Sequence, residues 1–199
     1  RLVWGLGTRA VDRVGNDYPR LVALSHPLLR PSTSANNIRR YSQQYVDVID
    51  LKENCIRTLN VHEVLQTNYY PLRYLVQVDE DGYFVSLRSR LVDSDKSKLV
   101  LTFEDLLRRT YFARHMREML HQLEEVYRSP VDMEFAVQLT PGENGGANLS
   151  IYLLQCRPQS HLTREKEVPL PGNLPKDEVI FSTQFVVPQG WVDGIKYVL

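Results

Sequence analysis

Strict alternation of apolar and polar side chains at residues 131–138 is the feature that most constrains the fold of this chain. The apolar members of the series are Val131, Met133, Phe135 and Val137. Because successive side chains of a β-strand point to opposite faces, this spacing predicts a strand over 131–139 with one face in a hydrophobic core. A second strand is predicted at 148–156, after a glycine-rich polar loop. We therefore expect two neighbouring strands with one buried and one wet face.

Two carboxylates, Asp132 and Glu134, lie on the polar face of the first predicted strand. Residues two apart in a strand are separated by roughly 7 Å, so these negative charges repel each other unless a cation or a basic group lies between them. Magnesium satisfies this need, because it takes one or two carboxylates and keeps positions for water and phosphate. The pattern favours a magnesium site at Asp132 and Glu134.

Gln155 and Arg157 share one face at the end of the second predicted strand, with Cys156 between them on the core side. The planar guanidinium of arginine fits a phosphate group, and glutamine can hold a ligand or the water around a metal. If the two strands pair, acids for a metal and donors for a phosphate meet, as in a nucleoside triphosphate site. The alternative is an ordinary half-exposed hairpin, whose cross-strand polar pairs need no ligand.

The longest helical pattern begins at Thr102 and ends before the Ser129-Pro130 pair. Thr102 and Asp105 have the spacing of a weak capping box, which satisfies backbone N–H groups where a helix starts. Side chains that recur in steps of three and four predict one inward face. They are Leu106, Thr110, Ala113, Met116, Leu120, Leu123 and Tyr127. We expect a single long helix that packs on the sheet.

A hairpin is predicted at 73–88, where two strand-like runs flank a turn that ends in Gly82. Glycine readily takes the positive φ that such a turn requires. Further strands are predicted at 1–4, 20–25 and 45–51, and one or two helical turns at 62–66. Because strands and helices do not alternate strictly, we predict an α+β fold with a largely antiparallel sheet.

Composition excludes several classes of protein. The 199 residues carry 24 Lys and Arg against 24 Asp and Glu, so net charge predicts no binding to nucleic acid or to an anionic membrane. No run approaches the roughly 20 apolar residues of a membrane-spanning helix, and a hydrophobic share of 43% is too high for a disordered chain. The two cysteines, Cys55 and Cys156, form no metal-binding or disulfide pattern, so we expect a cytoplasmic protein.

The paired strand motif resembles the nucleotide-binding domain of the phosphoenolpyruvate synthase and pyruvate phosphate dikinase family. The family pattern Pro-x-Asp-Ile/Met-Glu-Trp/Phe-Ala stands here at 130–136, and the pattern Gln-x-Arg-Pro-x-Ser/Thr stands at 155–160. The Gly5-Leu6-Gly7 stretch and the long helix before the motif also fit this family. The resemblance covers residues 1–160 and implies an ATP-grasp-like fold.

In that family, Mg-ATP phosphorylates a histidine on a separate swivelling domain, which carries the phosphate to pyruvate. The resemblance therefore implies ATP and Mg²⁺ as cofactors, and phosphohistidine and pyruvate-binding domains of the same polypeptide as partners. It implies that Asp132 and Glu134 lie near the magnesium, with Glu134 as the preferred ligand.

The resemblance also assigns roles to donors and glycines. It implies that Gln155 contacts the metal or a phosphate. It implies that Arg157 is catalytic, binding the ATP phosphates and stabilising the group in transfer. Gly5 and Gly7 are implied to lie near the nucleotide.

The chain departs from the family pattern at Thr8, where the family usually has glutamate, and it lacks the Thr-Cys/Ser-His-Ala motif of the phosphorylated histidine. These departures leave open a divergent, non-catalytic nucleotide-binding or regulatory module, and a third interpretation is an unrelated α+β domain. Because the chain begins with arginine rather than methionine, we expect a fragment of a larger protein. We predict the C-terminal part of an ATP-grasp-like domain at 1–160, a linker at 161–177 and the start of a following segment at 178–199.

Overall fold

The computed structural model describes residues 1–11, 17–66, 68–87, 96–142, 145–159 and 175. The helices are α1 (Thr8–Val11), α2 (Ala35–Arg40), α3 (Val61–Val64), α4 (Leu72–Leu75), α5 (Glu104–Arg109) and α6 (Phe112–Tyr127). The strands are β1 (Tyr45–Asp50), β2 (Cys55–Asn60), β3 (Val76–Glu80), β4 (Tyr83–Ser86), β5 (Leu99–Leu101), β6 (Val131–Pro141) and β7 (Ala147–Pro158). Helices and strands are mixed, as the α+β prediction requires.

The strands of the described ranges form three small antiparallel sheets. β1 pairs with β2, β3 lies between β4 and β5, and β6 pairs with β7. The antiparallel pairing was predicted, whereas a single sheet was expected in place of these three. Each sheet has only two or three strands, so each must bury its apolar face against helices or neighbouring segments to be stable.

The core lies where β3 and β5 pack against α4, α5 and α6. Its fully covered side chains include Val76 of β3, Leu101 of β5 and Phe112 of α6. The inward side chains of the β6–β7 hairpin pack against this core, and the Phe112 and Phe135 rings lie 6.0 Å apart between centroids. One face of the hairpin is therefore held by the core, which leaves the opposite face open.

The single long helix predicted from Thr102 is wrong, because the chain breaks it into α5 and α6 at Thr110 and Tyr111. The Thr110 hydroxyl donates to the Leu106 carbonyl at 2.6 Å and accepts from the Phe112 N–H at 3.2 Å. Thr110 itself is extended (φ −127°, ψ 168°). The Thr110 hydroxyl thus bonds a carbonyl at the end of α5 and an N–H at the start of α6. Such side-chain hydrogen bonds to the backbone compete with the backbone hydrogen bonds of a continuous helix. The predicted stop before Pro130 is confirmed.

The predicted capping box at Thr102 is also replaced by another arrangement. The Thr102 hydroxyl accepts from the Glu104 N–H at 3.4 Å, and Phe103 between them takes a left-handed conformation with φ of 55°. The N-cap of helix α5 is therefore Phe103, one residue later than the N-cap predicted at Thr102.

The first predicted strands, at 1–4 and 20–25, are reduced to isolated bridges. Leu2 and Arg20 exchange two backbone hydrogen bonds of 2.9 Å, and Ala23 bridges His26. The predicted 45–51 strand is confirmed as β1, and 62–66 contributes to the single turn of α3.

The turn of the hairpin predicted at 73–88 is confirmed, but the first strand of that hairpin begins later than predicted, at Val76. Asp81 and Gly82 have φ of 52° and 108°, the positive values of a tight two-residue turn. Residues 72–75 form α4 instead of strand, since Pro71 supplies a helical φ of −64° just before it.

The linker predicted at 161–177 and the following segment predicted at 178–199 lie outside the described residues, apart from residue 175. Within the described ranges, none of the helices combines the length and the apolar composition needed to span a lipid bilayer.

Candidate functional site

The β6–β7 hairpin brings the four predicted site residues of the paired motif together. In the observed register Asp132 lies opposite Arg157, and Glu134 lies opposite Gln155. All four side chains are exposed. The alternate residues of β6, Met133, Phe135 and Val137, are half-buried on the core side. Directly opposed residues of an antiparallel pair point to the same face, so the acids and the donors share one wet surface.

A β-bulge at Leu154 produces this arrangement. Glu134 pairs with Gln155 but the next residue, Phe135, pairs with Leu153, so Leu154 has no partner in the register. The side chain of Leu154 is 66% exposed. Because side chains alternate, an unbulged strand would place Gln155 and Arg157 on the core face with Ile151. The extra residue shifts the phase and moves both polar side chains to the wet face.

The acids on this face are not held by strong pairing. Arg157 Nε lies 3.9 Å from Asp132 Oδ2, with side-chain exposures of 67% and 52%. Gln159 Nε2 donates to Asp132 Oδ1 at 2.8 Å. Glu134 has no ion-pair partner among the described residues. An exposed pair of this kind adds at most about 1 kcal/mol to stability, so the four side chains remain available to a ligand.

The two predicted glycines occupy different environments. Gly5 has φ of 107°, and a Cβ atom on it would lie 2.5 Å from Val46 Cγ2 and 2.8 Å from the Asp47 carbonyl oxygen. Gly7 has φ of 82° and open space where its Cβ would be. Gly5 is therefore required by close packing against β1, whereas Gly7 is required by its backbone conformation alone.

A buried polar cluster lies next to these glycines and was not predicted from the sequence. Arg9 Nη1 donates to Asp17 Oδ2 at 2.8 Å, and Arg9 Nε lies 3.2 Å from Asp47 Oδ2. Thr58 donates to Asp47 at 2.5 Å, and the Thr8 hydroxyl donates to the same carboxyl group. The sequence signal that could have found this cluster is Asp47, a charged residue between Val46 and Val48 of β1. A charged side chain needs a partner when it is buried.

Asp47 is held ionised by this cluster. Burial alone would raise the pKa of Asp47, but the hydrogen bonds from Thr58 and Thr8 and the charge of Arg9 outweigh it, so its pKa lies below the ordinary value. Asp17 accepts the backbone N–H groups of Gln44 and Tyr45 at 2.6 and 3.2 Å. The ion pairs and hydrogen bonds of this cluster therefore link the segment after Gly7 to the start of β1.

The described residues separate the predicted site into two parts. The four hairpin residues share one surface, and no hydrogen bond or ion pair within the described ranges joins them to Gly5, Gly7 or the Arg9 cluster. Nor does any group of three or more His, Cys, Asp or Glu side chains gather there in a form that could hold a metal ion. Among the described residues, Asp132 and Glu134 are thus the carboxylates that this face of the hairpin presents.

Comparison with known proteins identifies a family. Residues 1–178 match the family model described as pyruvate phosphate dikinase, AMP/ATP-binding domain. No curated protein and no solved structure is significantly similar to the chain. The match includes both strands of the β6–β7 hairpin and the glycine segment at Gly5 and Gly7. The chain belongs to the family of pyruvate phosphate dikinase AMP/ATP-binding domains.

Proposed function

We propose that this chain is the ATP-binding part of a phosphoenolpyruvate synthase-like phosphotransferase. In this proposal the protein uses Mg-ATP to phosphorylate a histidine on a separate swivelling domain of the same polypeptide, for transfer to pyruvate. The observation that carries the proposal is the bulged register, which gathers Asp132, Glu134, Gln155 and Arg157 on the open face of a hairpin inside the matched family region. An ATP-grasp-like arrangement of the whole domain is part of the proposal.

Asp132 and Glu134 would hold the magnesium. Mg²⁺ in nucleotide sites is bound through one or two carboxylates, together with water and phosphate oxygens. Two exposed carboxylates on one strand face fit that donor set, and a bound cation would relieve the repulsion between them. The bound ion would neutralise part of the charge on the phosphates of the nucleotide.

Arg157 and Gln155 would act on the phosphate groups. The guanidinium of Arg157 is 67% exposed and contacts Asp132 only at 3.9 Å, so its donors are free to meet a phosphate. Arginine in this position would stabilise the negative charge of the group in transfer, which makes it the catalytic residue of the proposal. Gln155 lies opposite Glu134 and would contact the metal shell or a phosphate oxygen.

Gly5 and Gly7 are proposed to lie near the nucleotide, where Gly7 offers open backbone. Gly7 has no side chain and open space where a Cβ would lie, which would let a ligand approach its backbone from that side. We also expect a cytoplasmic protein, since Cys55 and Cys156 are both free thiols.

A second candidate function is a non-catalytic nucleotide-binding or regulatory module of the same family. Thr8 favours it, because the hydroxyl at this position is hydrogen-bonded to Asp47 within the buried cluster. The family's glutamate is thus replaced by a side chain that serves the fold. The two functions differ in whether bound Mg-ATP is followed by phosphohistidine formation.

Titration of the intact protein with Mg-ATP tests the proposed site. We expect Glu134→Gln and Arg157→Ala each to weaken binding by about tenfold or more, which corresponds to about 1.4 kcal/mol. Matched controls are Glu118→Gln and Arg114→Ala, which neutralise an exposed acid and an exposed arginine of an ion pair on α6. Affinities of the hairpin variants equal to those of the controls would show that the site is elsewhere.

Phosphohistidine formation from labelled ATP separates the two candidate functions. The catalytic proposal expects labelled histidine in the wild-type protein and a larger loss of labelling than of ATP affinity in Arg157→Ala. Wild-type protein that binds Mg-ATP through Glu134 without labelling any histidine would establish the non-catalytic module.

A further inference from the structure

A cavity of about 210 Å³ lies apart from the hairpin site, between the segment after residue 17, helix α2 and strand β5. Its apolar wall includes Tyr18, Ile38, Tyr41 and Leu101. The rings of Tyr18 and Tyr41 meet edge to face with centroids 5.1 Å apart, so this wall presents two contacting aromatic rings. None of the residues that line the cavity belongs to β6, β7 or the glycine segment.

Two arginines, Arg20 and Arg30, line the same cavity. Arg30 is paired, because its Nη2 lies 2.8 Å from Glu104 Oε2. The other oxygen of Glu104 accepts from Arg108 at 3.0 Å. The single carboxylate of Glu104 therefore already pairs with two guanidinium groups, those of Arg30 and Arg108.

Arg20 forms no ion pair with a carboxylate within the part of the chain that the structure describes. Its Nη2 donates to the neutral Leu29 carbonyl at 3.2 Å, and its buried Nε has no hydrogen-bond partner among the described residues. Burial and the charge of Arg30 hold the pKa of Arg20 below its ordinary value, which Glu104 offsets only in part. Since arginine stays protonated in proteins, the described residues leave a half-buried positive charge only partly compensated beside an apolar cavity.

We propose that this cavity binds a small organic anion. A carboxylate or phosphate group of the ligand would meet Arg20, and a flat or branched apolar body would lie against the Tyr18 and Tyr41 rings. The anion supplies the charge that Glu104 cannot, and the apolar body fills space that water occupies at a cost. The volume of about 210 Å³ suits a ligand part of one ring or a short branched chain.

Three probes of matched shape test the proposal on the intact protein: phenyl phosphate, benzoate and benzyl alcohol. Binding is followed by calorimetry and by NMR shifts of the backbone amides. We expect at least one of the two anions to bind at least about tenfold more tightly than the alcohol, with shifts at Tyr18, Ile38 and Tyr41. The tighter of the two anions identifies the head group as phosphate or carboxylate.

Leu21→Glu tests the charge argument without disturbing the core. Leu21 lines the cavity and is 56% exposed, so a glutamate there supplies an internal anion to Arg20. We expect Leu21→Glu to weaken binding of the anionic probe by about tenfold or more, and the neutral Leu21→Gln to leave it within about twofold of wild type. Leu51→Glu is the control for net charge, because Leu51 is 83% exposed on the β1–β2 turn and does not line the cavity.

The results decide the proposal in either direction. Equal affinity for benzyl alcohol and the anions, no binding of either anion up to about 10 mM, or unchanged affinity in Leu21→Glu would each overturn it. Amide shifts confined to residues outside the cavity would do the same. None of these outcomes depends on whether the β6–β7 hairpin binds Mg-ATP.

Discussion

Glu134 and Gln155 face each other across the β6–β7 hairpin, and the next residue of β6 skips Leu154 to pair with Leu153. This one-residue bulge exchanges the faces of the strand that follows it. Polar residues that would otherwise point into the core stand on the wet face beside two carboxylates. The composition of the candidate site thus depends on one extra residue, Leu154, which has no partner in the strand register.

Deletion of Leu154 should dismantle the site. Without the bulge, Gln155 and Arg157 must turn toward the core or the preceding half of β7 must turn outward, and both changes bury polar groups or expose apolar ones. We expect the deletion to lower Mg-ATP affinity by at least about tenfold and to reduce the free energy of unfolding by several kcal/mol, roughly 2–4. Calorimetry and urea denaturation measure the two effects.

Leu154→Ala is the control for that deletion, because the side chain is 66% exposed and the chain length is unchanged. It should stay within about 0.5 kcal/mol of wild type. Equal effects of the deletion and the substitution would contradict the role of the bulge.

Gly5→Ala and Gly7→Ala should differ strongly in their effect on stability. At Gly5 the new methyl group would meet both Val46 and the Asp47 carbonyl in addition to an unfavourable φ, so we expect a loss of about 3–5 kcal/mol from overpacking and backbone strain together. At Gly7 only the backbone strain applies, at about 1–2 kcal/mol. Urea denaturation of both variants checks this, and similar losses would rule out the close approach of Gly5 to β1.

Acid should destabilise the protein partly through Asp47. Its folded-state pKa is lowered relative to the unfolded chain, so its contribution to stability is complete above the unfolded value of about 4 and is lost as the pH falls through the folded value. Asp47→Asn should lose about 3 kcal/mol at neutral pH and show a shallower loss of stability below about pH 4. Denaturant midpoints measured from pH 7 to pH 2.5 test this sign.

The matched control for the acid experiment is Asp50→Asn. Asp50 also has a lowered pKa, caused first by its hydrogen bond from Arg57, but it is the last residue of β1 and its partner Arg57 is 50% exposed. Solvent screens such a pair, so this variant should have nearly wild-type stability at neutral pH. A pH profile of Asp47→Asn that parallels wild type would show that the buried cluster does not set the acid sensitivity.

Thr110 should control where α5 ends. Thr110→Ala removes both the hydrogen bond to the Leu106 carbonyl and the acceptor for the Phe112 N–H, and should cost about 1 kcal/mol. Thr110→Ser keeps the hydroxyl and should lose less than half of that free energy. Thermal unfolding distinguishes the two, and equal losses would indicate that the methyl group of Thr110 matters instead of its hydroxyl.

Local periodicity in the sequence was sufficient to predict several elements. The alternation at 131–139 identified β6 and its two faces, and the turn at Gly82 identified the β3–β4 hairpin. The motif around Glu134 and Arg157 was sufficient for the family, which the match over 1–178 confirms. These features depend on residues close together in the chain, where the backbone period of a strand or the φ of a turn is the deciding quantity.

Other features depended on partners far away in the sequence. Arg9 meets Asp47 across 38 residues, and Arg30 meets Glu104 across 74, so neither pair has a local signal. The break at Thr110 competes with a helical pattern that continues on both sides of it. Tertiary contacts decide whether the helix continues at a position such as Thr110, because the helix propensities of different residues differ by only about 1 kcal/mol.

The sequence by itself determined that Asp132 and Glu134 share one face of a strand, since a period of two residues leaves them no alternative. The sequence also placed Gln155 and Arg157 opposite the core-facing Cys156, but the bulge that brings them to that face after the inward Ile151 was decided only by the tertiary structure. Pairing with β6 places the unmatched residue at Leu154, and the core around Phe112 and Phe135 holds the apolar side of the hairpin in that register. A bulge is a property of two paired strands, so one strand's sequence cannot specify it alone.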